Sequence, residues 1–203
     1  MNQGSLIVLS GFSGAGKSTV INQVLAQRPE IYFSISFTTR QPRAGEVNGV
    51  NYNFVTREEF EARIERGEFL EYAQYNGNYY GTSMAVLREK MAQGIDVILD
   101  IEVQGAALVR EKMPESISGF IVPPSFQHLE DRLRGRGTDD EETIQKRLDI
   151  ARVEAKEVPK YDYIILNDAV ENAVAQVFAI LDAARCRTQG RMDLLEDFKG
   201  LHI

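Results

Sequence analysis

Gly11-Phe12-Ser13-Gly14-Ala15-Gly16-Lys17-Ser18 is the stretch whose reading decides the fold. It satisfies G-x-x-x-x-G-K-[ST] at every fixed position. Before it, residues 6–10 form a short apolar run bounded by glycine, the pattern of a strand buried on both faces. After it, Val20, Ile21, Val24 and Leu25 fall at helical spacing, and Pro29 closes that helix. Strand, glycine turn and helix open a βαβ unit. The glycines let the backbone turn tightly, so that successive N–H groups converge on phosphate oxygens. The helix N-terminus adds partial positive charge. Lys17 brings a cation to the β- and γ-phosphates of a nucleoside triphosphate, and the Ser18 hydroxyl is placed to ligate Mg²⁺.

Outward from this motif the chain shows two textures. Residues 31–54 are rich in β-branched and aromatic side chains broken by Pro42, Gly45 and Gly49, which predicts short strands and turns. A helix is expected over 57–66, and 69–80 returns to strand, with Asn76-Gly77 as a turn candidate. This stretch interrupts the strand–helix rhythm and reads as an insertion. The rhythm resumes near Ser83, with helix 85–93, buried strand 96–101, helix 105–112 and strand 119–122. Two charged helices, 125–134 and 141–157, flank Gly135-Arg136-Gly137. Strand 163–166 and a final helix from Val170, with Val174, Val177, Leu181 and Ala184 on its apolar stripe, complete the pattern. The expected fold is α/β: a P-loop NTPase-type parallel sheet flanked by helices, with an inserted mixed β/α subdomain and a helical lid. The boundaries are core 1–33, 83–124 and 158–187, insertion 34–82, lid 125–157, and a tail 188–203 without readable pattern. Ligands of such sheets sit at the carboxyl ends of the strands, where the motifs fall.

At 203 residues the chain can bury one sizeable core. Its longest apolar runs fall well short of the roughly 20 residues that cross a bilayer, and its N-terminus lacks the basic flank and cleavage site of a signal peptide. The single cysteine, Cys186, rules out an internal disulfide and fits a cytoplasmic location. A net charge of −7 argues against a nucleic-acid polymer as partner, since such binding needs a basic face. Small anions remain open to it if the arginines gather in one cleft. Oligomeric state is not written in these features, and a homo-oligomer is compatible with them.

Residues 34–43, SISFTTRQPR, concentrate hydroxyls and two arginines around a proline turn. The guanidinium fork suits a phosphate dianion because it donates two parallel hydrogen bonds; taken alone, the stretch reads equally as a polar surface loop. Asp100 and Glu102 end a predicted strand on one face, positions for a metal or substrate contact or for capping the next helix.

Five ordered segments carry a wider resemblance. They are Thr38-Thr39-Arg40-Gln41-Pro42-Arg43-Ala44-Gly45-Glu46; Asn48-Gly49 with Tyr52; Gly77-Asn78-Tyr79-Tyr80-Gly81-Thr82; Asp100-Ile101-Glu102-Val103-Gln104-Gly105; and Arg134-Gly135-Arg136-Gly137-Thr138, followed by Asn167-Asp168. Together with the glycine-rich motif they closely resemble guanylate kinases over nearly the whole chain. The resemblance implies transfer of the ATP γ-phosphate to GMP, with dGMP as a further acceptor and Mg²⁺ bound with ATP. It implies that Gly11 to Ser18, Asn167 and Asp168 bind ATP. Arg40, Arg43, Tyr52 and Tyr80 would hold the GMP phosphate, while Ser36, Glu71 and Thr82 face the guanine. Asp100 and Glu102 would lie near the guanosine, with Ser18 and Asp100 at the metal. Arg132, Arg136 and Arg147 would act from the lid, beside Lys17, Arg40 and Arg43, on the transferring phosphoryl. Thr82 stands where the family often has serine, Glu102 where aspartate is common, and Phe12 where proline is frequent.

A carboxylate suits guanine, whose N1–H and N2–H₂ form a paired donor edge that adenine lacks. The acceptor phosphate is already ionised, so in-line transfer needs positioning and charge neutralisation rather than a strong base. A cleft rich in arginine is expected to repel itself until substrates close it. The rival readings are another small P-loop monophosphate kinase and a non-catalytic guanylate-kinase-like binding module.

Overall fold

The computed structural model describes residues 3–75, 77–135, 137, 139–188, 191 and 194–195. Arg136, and Asn76 of the expected turn, lie outside the described residues. Strand β1 (Leu6–Gly11) runs into helix α1 (Lys17–Gln27). All six residues of β1 are buried, because parallel strands β7 (Val97–Asp100) and β8 (Ile117–Val122) flank it on both sides. With β2 (Tyr32–Phe33) and β9 (Tyr163–Leu166) they form a five-stranded parallel sheet in the order β2-β7-β1-β8-β9. Alternate β1 side chains go to opposite faces. Ile7 and Leu9 pack with Val20 and Val24 of α1 and with Val174, Val177 and Leu181 of α7 (Val170–Ala184). Leu6 and Val8 pack with Leu87 of α3 (Met84–Ala92) and with Ala106 and Val109 of α4 (Val103–Lys112). At the sheet edge β9 buries only Ile165. The Gln176 side-chain amide accepts from the Leu166 N–H and donates to its carbonyl, as a neighbouring strand would.

The insertion builds its own sheet from β3 (Phe37–Thr38), β4 (Asn53–Phe54), β5 (Phe69–Tyr75) and β6 (Asn78–Ser83), in the order β4-β3-β6-β5. Only β3 and β4 are parallel. Helix α2 (Arg57–Glu65) starts at Thr56, whose hydroxyl accepts from the Glu59 N–H. Its Phe60 stacks on Phe69 and Tyr79, with ring centroids 4.4 and 5.2 Å away, which seats the helix on this sheet.

Helices α5 (Phe126–Gly135) and α6 (Glu141–Glu154) share a separate apolar cluster of Leu129, Leu133, Ile144, Leu148 and Ala151. The expected helix to residue 157 ends three residues early, at Glu154. A short 3₁₀ turn (Val158–Lys160) follows, where Pro159 has no N–H to continue an α-helix. Phe12 packs against all three apolar clusters, so the glycine-rich loop is the joint between the sheet core and the α5/α6 pair. No helix among the described residues is long and apolar enough to cross a membrane.

Candidate active site

The glycines of the loop are required by space as well as by backbone angle. Gly14 and Gly16 have φ of +97° and +89°, a region that costs an L side chain roughly 1–2 kcal/mol. A Cβ on Gly16 would lie 2.4 Å from Asn167 Nδ2, and one on Gly14 2.8 Å from Leu133 Cδ2. The Ala15 N–H closes the loop on the Phe12 carbonyl at 2.9 Å. Helix α1 has no side-chain cap and no acidic residue in its first turn. Its leading N–H groups and positive end therefore point into the loop, where an anion is favoured. Lys17 forms an ion pair with Asp100. Burial disfavours the lysine charge, yet Asp100 and Glu102 hold its pKa above the ordinary value.

Two residues expected at the nucleotide hydrogen-bond to the loop. Arg132 of α5 donates from Nη1 to the Ala15 carbonyl at 3.0 Å and from Nη2 to the Asn167 carbonyl at 2.8 Å. Asn167, only 3% exposed, adds a 2.7 Å bond from Nδ2 to the same Ala15 carbonyl. The Ala15 carbonyl is thereby held by two side-chain donors from distant elements. Arg147 of α6 reaches the loop differently, with Nη1 3.4 Å from Ser13 Oγ and Nη2 3.3 Å from Asp139. Asp168 accepts from the Ala169 N–H and from Asn172 at the start of α7, and those bonds lower its pKa.

On the acceptor side, Glu46 organises the arginines. Its carboxylate takes two bonds from Arg40, at 2.9 and 3.0 Å, and one from the Arg43 N–H at 2.7 Å. Arg40 lies 5.3 Å from the Tyr52 ring, and Tyr52 meets Tyr80 edge-on at 6.0 Å. The Arg43 side chain is exposed. Glu71 and Thr82 are cross-strand partners, both buried, joined by a 2.6 Å bond from the Thr82 hydroxyl. Burial raises the Glu71 pKa, against the opposing pull of Thr82 and Lys112. Ser36 is half-buried just before β3, with its carbonyl bonded to the Asn53 N–H.

Asp100 ends β7, and Glu102 is the N-cap residue of α4 without a side-chain cap bond, so its carboxylate is not spent on the helix. Sequence reasoning assigned no role to Glu154, the last residue of α6. It is 7% exposed, and its pKa is pushed up to about 7 by burial and then by the neighbouring Glu102, with Lys17 opposing. Its Oε2 has no partner among the described residues unless a proton is shared with Glu102. Lys17, Asp100 and Glu102 were legible from local motifs, but Glu154 is brought to Glu102 and Lys17 from a distant helix and leaves no local sequence signal. Glu46 did have one, since it closes the TTRQPRAGE segment.

The glycine-rich loop, Lys17, Ser18, Tyr52, Asp100 and Glu102 line one cleft of about 360 Å³, whereas Ser36, Arg40, Arg43, Glu71, Tyr80, Thr82, Arg147 and Asp168 are not part of its lining. A wider depression at Pro114, Glu115 and Cys186 holds none of them. Phosphate-binding backbone, a lysine and an acceptor-side phenol around one volume can position two phosphorylated molecules for transfer.

Comparison with known proteins agrees. Residues 3–184 match the family model described as guanylate kinase. A guanylate kinase of Halalkalibacterium halodurans is 50% identical over 187 residues, 92% of each chain. One of Neisseria gonorrhoeae is 45% identical over 195 residues, 96% of this chain and 95% of that one. The crystal structure of guanylate kinase from Anaplasma phagocytophilum superposes with a TM-score of 0.77 at 35% identity, covering 97% and 96% of the two chains.

Proposed function

The chain belongs to the guanylate kinase family, and from that premise we propose that it transfers the γ-phosphate of ATP to GMP, and to dGMP, giving ADP and GDP by direct in-line displacement. The observation that carries this reading is that Tyr52, from the segment of Arg40 and Arg43, lines the same cleft as Lys17 and Ser18. That shared lining supports a donor cradle and an acceptor cradle set opposite one another.

In this reading ATP lies on the glycine-rich loop, with Lys17 moving from Asp100 to the β- and γ-phosphates. Arg40, Arg43, Tyr52 and Tyr80 orient the GMP phosphate so that one of its oxygens attacks the γ-phosphorus. Glu71, Thr82 and Ser36 read the guanine edge. Arg147, and Arg136 with it, meet the charge that develops on the transferring group. Asn167 and Asp168 lie near the adenine of ATP, and Arg132 and Asn167 also hold the Ala15 carbonyl of the donor loop. Ser18 and Asp100 suit Mg²⁺, being hard oxygen donors within one cleft. Among the described residues no group of three or more metal-ligating side chains forms a cage, and Mg²⁺ is commonly held by one or two protein oxygens plus phosphates and water. Held by Ser18 and Asp100, the ion would supply neutralisation of phosphate charge. The mobile parts are the insertion, 34–82, and the lid, 125–157, against the core. A cytoplasmic setting suits these substrates and the exposed thiol of Cys186.

The test is ADP release with GMP, dGMP, AMP and UMP, beside a Lys17→Ala variant. GMP should lead AMP by on the order of 10³-fold or more in kcat/KM, because AMP leaves the buried Glu71 unpaired. Lys17→Ala should lose about 10²–10³-fold in kcat, as for removal of a charge-stabilising group. Equal rates with AMP would end the guanine assignment, and no turnover with any acceptor would favour a binding module.

A further inference from the structure

Glu71 is the buried acid of the inserted sheet, and one face of a core helix decides where it can stand. Gly105, the third residue of α4, is buried and has no positive φ, so backbone angle gives no reason for glycine there. Glycine within a helix costs roughly 1 kcal/mol relative to alanine. The reason is space. A Cβ at position 105 would lie 3.0 Å from Glu71 Oε2, 3.5 Å from its Cδ and 3.4 Å from Ile101 Cδ1. The other carboxylate oxygen is engaged on the far side, where Oε1 accepts the 2.6 Å bond from Thr82. Both residues are buried, Glu71 at 5% and Thr82 at 0% exposure, so the carboxylate has little freedom to retreat. Seven residues on, and hence on the same helix face, Lys112 donates from Nζ to the Phe69 carbonyl at 3.5 Å. This face of α4 thus seats β5 at both ends, with a missing side chain where the acid must come close.

We infer that Gly105 is a specificity-determining residue: by omitting a Cβ it lets the Glu71 carboxylate stand deep enough for its oxygens to meet the N1–H and N2–H₂ edge of guanine. The inference rests on the proposed guanine-facing role of Glu71. An alanine at 105 must push the carboxylate by a few tenths of an ångström, either off Thr82 or into the space of the base. Gly105 touches neither substrate and acts through Glu71, so it is a positioning residue.

The experiment measures kcat and KM for ATP, GMP and AMP in the full-length enzyme and in Gly105→Ala, Glu71→Gln, Glu71→Asp and the Gly105→Ala/Glu71→Asp double variant, with thermal midpoints for each. Gly105→Ala should raise KM for GMP on the order of tenfold and narrow the GMP-to-AMP preference, leaving KM for ATP and the thermal midpoint near their starting values. In the double variant the shorter acid has retreated by a methylene, so the two effects should be clearly less than multiplicative. A KM for GMP within about twofold of wild type in Gly105→Ala, or fully multiplicative effects in the double variant, overturns the inference while Glu71→Gln still loses GMP. A fall in kcat, ATP affinity and thermal midpoint together also overturns it, as a general loosening of α4. If Glu71→Gln itself leaves KM for GMP unchanged, the guanine reading fails and this inference falls with it.

Discussion

Glu71 and Glu46 show how a single carboxylate is given its task by its surroundings. Glu46 is half-exposed and its pKa is lowered, first by the bonds from Arg40 and then by the Arg43 N–H. It stays ionised and fixes the Arg40 guanidinium through two hydrogen bonds. Glu71 is buried and its pKa is raised. Only its ionised form accepts both guanine donors, so acid should cost guanine recognition before an ordinary carboxylate would titrate. The GMP-to-AMP ratio of kcat/KM is the right measure, since phosphate protonation near pH 6 affects both acceptors alike. That ratio should fall as pH is lowered toward the ordinary carboxylate range, starting above it. A ratio independent of pH down to that range would contradict the role of Glu71.

At the scale of elements, α5 and α6 are fastened to the nucleotide loop as well as to each other. Leu133 is fully buried, and its Cδ2 sits 2.8 Å from where a Cβ on Gly14 would be. Leu133→Ala should cost about 2–5 kcal/mol of stability. It should also raise KM for ATP more than KM for GMP, because the loop loses its support; equal changes in both would mean that α5 does not brace the loop. At the far end of the pair, Glu154 brings α6 against Glu102 and Lys17. Its folded pKa of about 7 stands above the ordinary 4.5, so the folded state binds the extra proton between those values. Its contribution to stability is therefore complete below about pH 4.5 and lost as pH rises through 7. Glu154→Gln, which cannot ionise, should flatten that decline and raise the thermal midpoint at pH 8 by a few degrees, about 1 kcal/mol. Thermal unfolding from pH 5 to 8 tests it, and an unchanged pH slope would place the shared proton elsewhere.

For the molecule as a whole, the cleft is balanced rather than self-repelling. Lys17 is paired with Asp100 and Arg40 with Glu46, while Arg132 is bound to carbonyls. Closure then depends on substrate phosphates exchanging these partners, and both nucleotides should be needed. Spectroscopic labels at Val47→Cys and Lys146→Cys, both exposed positions, in a Cys186→Ser background report the distance from the insertion to the lid. It should shorten on adding GMP with a non-hydrolysable ATP analogue, and by less with either alone. A distance indifferent to both would leave water exclusion without a mechanism.

Periodicity and local motif determined the strand–loop–helix at 6–27, the alternation of strands and helices, the interrupting insertion and the two segments proposed to hold phosphates. Those signals survive in one dimension because an all-buried strand, a left-handed glycine and a helical stripe are each written in adjacent residues. Tertiary structure alone decided that Lys17 pairs with Asp100, that Arg132 and Asn167 donate to the Ala15 carbonyl, that Glu154 stands beside Glu102, and that Gly105 leaves room for Glu71. Each of these joins residues dozens of positions apart, through packing at contact distance, where one carbon more or less changes the partner and no neighbour in the chain records it.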